Sequence, residues 1–214
     1  MDRVSQQQNF WKNIYSKEYI ERNPHTDQQL GLKAWSKMLD KIDIIDGGVK
    51  NILECGSNIG RNIALLNLLF PGANKSIIEL SEDAFEIVTK SFILDKAQNC
   101  SIVSADFASA SFDLVYISGV LIHVHPDDVL ANLAKMYEWS NKYILINEYF
   151  NRTPVMLEYR GEKDKLFKSD FGKTFMQNFD VKLVDYGFLW GYEYDNGGFD
   201  DTTFWLLKKS KCDK

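Results

Sequence analysis

Apolar positions along the chain change their period several times, and each change marks an element. Over residues 6–21, Phe10, Trp11, Ile14, Tyr15, Tyr19 and Ile20 recur at helical spacing until Asn23-Pro24 closes the pattern, which predicts an amphipathic opening helix. A second helical stretch over residues 28–39 sets Leu32, Trp35, Met38 and Leu39 on one side. It leads through the turn residues Asp46-Gly47-Gly48 into a strand. Short β-rich runs then alternate with helical ones: VKNILEC, RNIALLNLLF stopped by Pro71-Gly72, KSIIEL, SEDAFEIVTKSFILDKA, CSIVSA, SFDLVYIS, a helix over about 126–139, and KYILINEYF. Such alternation predicts βαβ units and a parallel sheet covered on both faces, and strands that are apolar throughout suit that burial.

The end of the chain breaks the alternation. FDVKLVDYGFLWGYEY and DDTTFWLLKK flank a Gly-rich turn at 195–198 with no helix between them, which predicts an antiparallel hairpin added to the sheet edge. Between KYILINEYF and this hairpin, residues 151–178 read as an irregular insertion rich in aromatic and charged side chains.

Composition narrows the function. The 214 residues, 45% hydrophobic and 26% charged, suit one ordinary globular domain with one sizeable core. Against 30 acidic side chains stand 25 basic ones with no Lys/Arg cluster, so a nucleic-acid partner is disfavoured. Cys55, Cys100 and Cys212 are scattered without a C-x-x-C pair, which suits a reducing compartment and offers no metal framework. The polar start MDRVSQQQNFWKNIY lacks the apolar core of a signal peptide, and every apolar run falls far short of the ~20 residues of a membrane span. The expected location is cytoplasmic, with no membrane partner.

The chemistry concentrates at ILECGSNIG, residues 52–60, where an apolar strand ends on the carboxylate of Glu54 and a loop follows with Gly56, Ser57, Asn58 and Gly60 before a helix. In an open parallel sheet, ligands sit beyond the carboxyl ends of the strands where their order reverses, and the first strand-to-helix turn is the usual place. Glycine permits a sharp turn and close approach, and the helix start offers unpaired N–H groups. A dinucleotide needs Gly-x-Gly-x-x-Gly, but Asn58 and Arg61 occupy the second and third glycine positions. Glu54 beside the loop favours a cationic ligand over a phosphate. Glu79 ends KSIIEL, where a ribose diol can be accepted by a carboxylate, and Asp106 follows CSIVSA next to Phe107. Strand-end carboxylates can equally be helix caps, and that bland alternative stands for Glu79 or Asp106 taken alone.

Together these residues resemble the motifs of class I S-adenosylmethionine-dependent methyltransferases. The resemblance implies a Rossmann-like fold and S-adenosylmethionine as cofactor. It implies that residues 56–60 wrap the methionine and ribose portions and that Glu79 holds the ribose hydroxyls. Leu80 and Phe107 would flank the adenine, Asp106 would take its exocyclic amine, and Asn62 and Ser118 would complete the site. Asn58 departs from the usual middle glycine, though Asn tolerates left-handed backbone better than most residues.

Methyl transfer needs an in-line nucleophile and a dry pocket, and orientation alone can supply ~7–11 kcal/mol in favourable cases. A hydroxyl acceptor also benefits from a general base. SGVLIHVHPDD places His123 and His125 after the fourth strand, so His123 is either that base or a brace for the loop. No third ligand supports the two histidines as a metal pair.

Three blocks are more specific: FWKNIYSKEYIERNP, EYFNRTPVMLEYRGEKDKLFKSDFG and VDYGFLWGYEYDNGGFDDTTFW. They are similar to the pseudaminic acid biosynthesis-associated methylase family, over nearly the whole chain. That similarity implies a nonulosonic acid or a related surface-glycan intermediate as acceptor. The insertion then reads as a lid on which Tyr159 and Phe167 stack on a sugar, while Arg160, Lys163, Lys165 and Lys168 pair a carboxylate or phosphate, with Arg160 the foremost candidate. A solvated charged loop is the plain alternative. The opening helix could fold over the cofactor with Tyr19, Arg22 and Asn23 near its carboxylate, or only pack.

The expectation is one α/β methyltransferase domain over 1–214, with a seven-stranded, mostly parallel sheet, an antiparallel last strand and helices on both faces. A helical cap covers about 1–46 and an acceptor-side insertion about 151–178. A cofactor-binding module without catalysis and a nicotinamide-dependent dehydrogenase are the rivals.

Overall fold

Five short strands form the parallel part of a seven-stranded sheet, the polar β3 at its edge and the others more buried: β1 (Asn51–Cys55), β2 (Asn74–Ile78), β3 (Lys96–Gln98), β4 (Phe112–Ser118) and β5 (Ser140–Glu148). The structure, a computed structural model, describes residues 26–42, 48–159 and 161–210. The opening helix expected over 6–21, with Tyr19, Arg22 and Asn23, lies outside these residues, as does Cys212. In the order β3-β2-β1-β4-β5-β9-β8 the chain runs outward from β1 in one direction and then from β4 in the other. The strand order therefore reverses between β1 and β4, and a crevice opens there beyond their carboxyl ends. The last strand, β9 (Thr202–Lys209), is antiparallel as expected, inserting between β5 and β8 (Val181–Leu189), but the connection is not the helix-free turn expected, since Gly191–Tyr194 forms a short helix and Asp195–Gly197 a 3-10 turn.

The helices follow from their caps and faces. In α1 (Gln28–Leu39) the Asp27 side chain accepts from the N–H groups of Gln29 and Leu30, and Gly31, Ala34, Trp35, Met38 and Leu39 form one buried stripe. Helix α2 (Arg61–Leu69) follows β1 directly, and α3 (Glu82–Ser91) is capped by Ser81 with Glu82 and Asp83 in its first turn. Helix α4 (Pro126–Trp139) starts with proline at its first position, where the missing N–H costs nothing.

Successive side chains of one strand point to opposite faces, so β4 feeds two cores. Val115 and Ile117 pack with Leu133, Met136 and Trp139 of α4, while Leu114 and Tyr116 pack with Trp35 and Met38 of α1 and Leu65 and Leu66 of α2. Fully burying one such side chain contributes ~1.5–3 kcal/mol, so the two faces together dominate the stability of this region. Helix α5 (Phe171–Asn178) lies so close on β9 that a methyl at Gly172 would come within 2.4 Å of the Trp205 ring.

Three further expectations are corrected. CSIVSA is not the third strand: Lys96–Gln98 is, and Ile102–Ser104 forms a 3-10 turn that sends Ile102 into the core. The expected long helix SEDAFEIVTKSFILDKA stops at Ser91, where the Phe92 N–H still bonds the Val88 carbonyl in an extended cap, and its tail becomes β3. The insertion 151–178 is not irregular. It forms an antiparallel hairpin, β6 (Val155–Tyr159) and β7 (Glu162–Lys168), and then α5. Among the described residues no helix is long and apolar enough to cross a membrane.

Candidate functional site

The loop after β1 is shaped before any ligand is considered. Gly56 and Gly60 both have φ of 86°, and Asn58 sits at φ 47° with its own Oδ1 accepting from the Ile59 N–H at 2.6 Å. The left-handed geometry expected to be tolerable at Asn58 is therefore adopted. Glycine at 60 answers two demands at once, since a side chain there would also come within 2.6 Å of the Phe92 ring. At Gly56 the neighbour is Val120, 2.6 Å from where a Cβ would stand, so the first loop and the loop after β4 touch across the crevice.

Glu79 ties the loop after β1 to the loop after β2. Its Oε2 accepts from the Asn58 N–H at 2.6 Å and its Oε1 from the Ser81 N–H at 2.7 Å, and burial raises its pKa against the pull of these amides. Each oxygen keeps acceptor capacity for a further donor. Leu80, beside it, is half-buried. Asn99 donates through Nδ2 to the carbonyls of Glu79 and Leu80, and Gln98 clasps Asp106 from both sides. The Gln98 Nε2 donates to the Asp106 carbonyl and its Oε1 accepts the Asp106 N–H. Asp106 thus reaches the carboxyl end of β3 although a different segment forms that strand, and its side chain is exposed. Phe107, expected beside an adenine, is 5% exposed and packed edge-on between Phe112 and Trp139, which makes it a core residue.

Glu54 is buried at the end of β1. Asn62 donates to its Oε1 at 2.9 Å, and the Trp35 Nε1–H donates to Asn62 Oδ1 at 3.3 Å. Glu54 Oε2 and the Tyr116 hydroxyl are both buried and without a hydrogen-bond partner, although the phenol lies near enough to influence the acid. Desolvation pushes the Glu54 pKa up to about 8, partly offset by Asn62, Tyr116 and the Arg61 charge. An orphaned buried carboxyl oxygen suits a ligand that carries a cationic donor, and that is the fit expected for the methionine end of S-adenosylmethionine.

The loop after β4 rests on a residue that the sequence reading passed over. Glu148, fully buried at the end of β5, accepts the N–H groups of Val120 and Leu121 at 2.8 Å and of Ile122 at 3.3 Å. Burial pushes its pKa up to about 7, with the amides pulling the other way. The signal was present in ILINEYF, an apolar strand ending on a carboxylate like the one at Glu54. At the end of β4, Ser118 accepts a hydrogen bond from Asn147.

His123 closes the 3-10 turn Leu121–His123, and its ring Nδ1 lies 3.0 Å from the Lys165 carbonyl on β7. A carbonyl only accepts, so Nδ1 carries the proton in this bond and Nε2 keeps the lone pair. Burial lowers the His123 pKa to about 4, so the ring is neutral near physiological pH. Of the insertion residues, Phe167 is buried edge-on against His125 at 5.4 Å and is not available to stack on a sugar, which corrects the expectation. Lys168 lies over the Tyr149 ring. Arg160 and the side chains of Tyr159 and Lys163 lie outside the described residues. No group of His, Cys, Asp and Glu among the described residues is placed to hold a metal ion.

Residues 53–139 match the family model described as a methyltransferase domain. Among solved structures, the chain is similar to an S-adenosylmethionine-dependent methyltransferase from Leishmania major, at 16% identity over 95% of this chain and 82% of that one, with a TM-score of 0.71. It is similar to the 1,6-didemethyltoxoflavin-N1-methyltransferase of Burkholderia thailandensis, solved with S-adenosylhomocysteine, at 15% identity over 92% and 87% with a TM-score of 0.68. It is also similar to the magnesium protoporphyrin IX methyltransferase of Synechocystis PCC 6803, solved with S-adenosylmethionine, at 12% identity over 98% of both chains and a TM-score of 0.68. No curated protein sequence matches the chain.

Proposed function

We propose that the chain is an S-adenosylmethionine-dependent methyltransferase acting on a small polar acceptor, a sugar of the nonulosonic acid kind or a related surface-glycan intermediate, a reading supported by the match of residues 53–139 to a methyltransferase domain and by the likeness of its fold to such enzymes. The observation that carries the cofactor half is the Glu79 bond to the Asn58 N–H, which brings the glycine loop, the β2 end and the Gln98–Asp106 clasp into one rim. In this reading Glu79 accepts the ribose hydroxyls and Asp106 the adenine amine. Residues 56–60 with Asn62 surround the methionine end, and Glu54 faces its cationic group. Leu80 covers one side of the base, while Phe107 supports the site from the core. Bound S-adenosylmethionine supplies a methyl group on a sulfonium.

The acceptor half rests on the three sequence blocks that resemble pseudaminic acid-associated methylases. The middle block coincides with the hairpin β6–β7, which docks on the turn carrying His123. His123, neutral and with the Nε2 lone pair retained, is suited in tautomer to accept a proton from a sugar hydroxyl, and its low basicity makes it a weak base. Tyr159 and Arg160 contact the acceptor in this reading. Residues 1–214 then act as one domain, with about 1–46 as cap and about 151–178 on the acceptor side. Free Cys55 and Cys100 are in keeping with a cytoplasmic setting.

The test is incubation with methyl-labelled S-adenosylmethionine and a panel of free and nucleotide-activated sugars, followed by mass analysis. Label appearing on an acidic sugar supports the proposal. Label confined to non-carbohydrate acceptors sinks its sugar part and leaves the methyl transfer standing.

A further inference from the structure

Helix α1 and the cofactor loop are joined by a polar chain inside an otherwise apolar core. Trp35 is fully buried, edge-on to Tyr116 at 4.9 Å, and its indole N–H donates to Asn62 Oδ1. An indole N–H has no acceptor capacity, so the Asn62 oxygen must face it, and the Asn62 amide N–H is thereby turned towards Glu54. With Oε1 held in this way, Oε2 is the oxygen left unpartnered. A packing role would have been met by Phe at position 35, which would leave the Asn62 oxygen without this donor and its amide held by Glu54 alone.

We propose that Trp35, acting through Asn62, is a positioning residue that holds the Glu54 carboxyl with Oε2 free to accept the ammonium group of the cofactor's methionine end. The inference rests on the reading of Glu54 as a cofactor contact. It has a consequence in protons. The groups facing Glu54 are Asn62 and Arg61 from α2, Glu79 from the end of β2, Tyr116 from β4 and neighbouring Cys55, while Trp35 contributes no charge. Burial and Glu79 favour the protonated acid in the free protein, whose pKa stands at about 8. An ammonium against Oε2 favours the carboxylate, so binding expels the acid proton to the buffer while the ligand keeps its own charge.

The experiment is calorimetric titration of S-adenosylmethionine near neutral pH in two buffers of different ionisation enthalpy, which counts protons released. Wild type is expected to release a proton on binding, and Glu54→Gln to release none and bind roughly ten- to a hundredfold more weakly. Trp35→Phe and Asn62→Ala are each expected to bind roughly tenfold more weakly with reduced release, and combining them should add little to either alone. The control ligand is 5′-methylthioadenosine, which lacks the methionine end and should bind wild type and all variants alike. Wild-type affinity and proton release in both Trp35→Phe and Asn62→Ala overturn the proposal. So does an equal loss for both ligands, which marks general loosening of the core. Unchanged binding by Glu54→Gln overturns the contact beneath it, and no binding by wild type overturns the cofactor reading itself. Asn62, half-buried, keeps the test open if Trp35→Phe does not fold.

Discussion

The His123 ring is held by its Nδ1–H against the Lys165 carbonyl, 3.0 Å away, so a residue of the loop after β4 and a residue of the hairpin insertion share one hydrogen bond. This contact fixes the tautomer and joins the proposed acceptor lid to the cofactor side of the molecule. It also buries the imidazole, which lowers its pKa from 6.5 to about 4. Between those values the unfolded chain binds the proton that the folded chain refuses. Stability should therefore be fully present above the unfolded value and fall as the solution is acidified through that window. Thermal melts of wild type and His123→Gln from neutral pH to about pH 5 check this: wild type should lose extra stability that the variant does not. If His123 is also the base, His123→Gln should lower kcat by ~10²-fold, with the acidic limb of the wild-type profile near its depressed pKa. A variant with near-normal kcat leaves the bracing role alone.

Glu148 has the opposite sign. Its folded pKa is raised from 4.5 to about 7, so its contribution is fully present below the unfolded value and is lost as pH rises through the folded one. Glu148→Gln keeps one acceptor oxygen and puts an NH2 where the other stands, so the Val120, Leu121 and Ile122 N–H groups cannot all keep their acceptor, and the variant should be destabilised by ~1–3 kcal/mol at acidic pH. The gap from wild type should narrow between about pH 5 and pH 8, as the native carboxyl takes on a buried charge. Denaturant melts across that range measure it, and a gap that widens with pH contradicts the assignment.

Glu79 holds two loop amides as well as facing the proposed ribose position, so Glu79→Ala should act on both. Cofactor affinity should drop roughly ten- to a hundredfold and stability by ~1–3 kcal/mol, because the Asn58 and Ser81 N–H groups lose their acceptor. Titration calorimetry with parallel melting curves separates the two effects. Unaltered affinity in a folded variant removes the ribose role.

Gly60→Ala combines left-handed strain with a clash on Phe92 and Val88, and about 2–4 kcal/mol of destabilisation is expected. Gly72→Ala, where an added methyl meets nothing within 4 Å, is the control and should be close to neutral in the same melts.

Arg160 tests the acceptor class. A guanidinium grips a carboxylate with two parallel hydrogen bonds that an ammonium cannot reproduce, so Arg160→Lys should raise KM for an acidic sugar while cofactor affinity stays put. Equal kinetics of the two proteins on that sugar make Arg160 an ordinary surface charge.

The sequence by itself determined the alternation of strands and helices, the antiparallel last strand and the carboxylates at the end of β1 and just after β2. These follow from periodicity, turn residues and strand ends, all expressed within a few residues of chain. The left-handed Asn58 and the caps of α1 and α3 belong to the same short range. The tertiary structure alone decided what depends on distant partners. Trp35 meets Asn62 27 positions away, Glu148 meets Val120 28 positions away, and His123 meets Lys165 across 42. The insertion pairs as a hairpin while β7 docks on the His123 turn, and Phe107 turns inward because Phe112 and Trp139 leave a slot for its ring. A buried polar group must find its partner wherever the fold brings one, and one-dimensional spacing carries no record of that meeting.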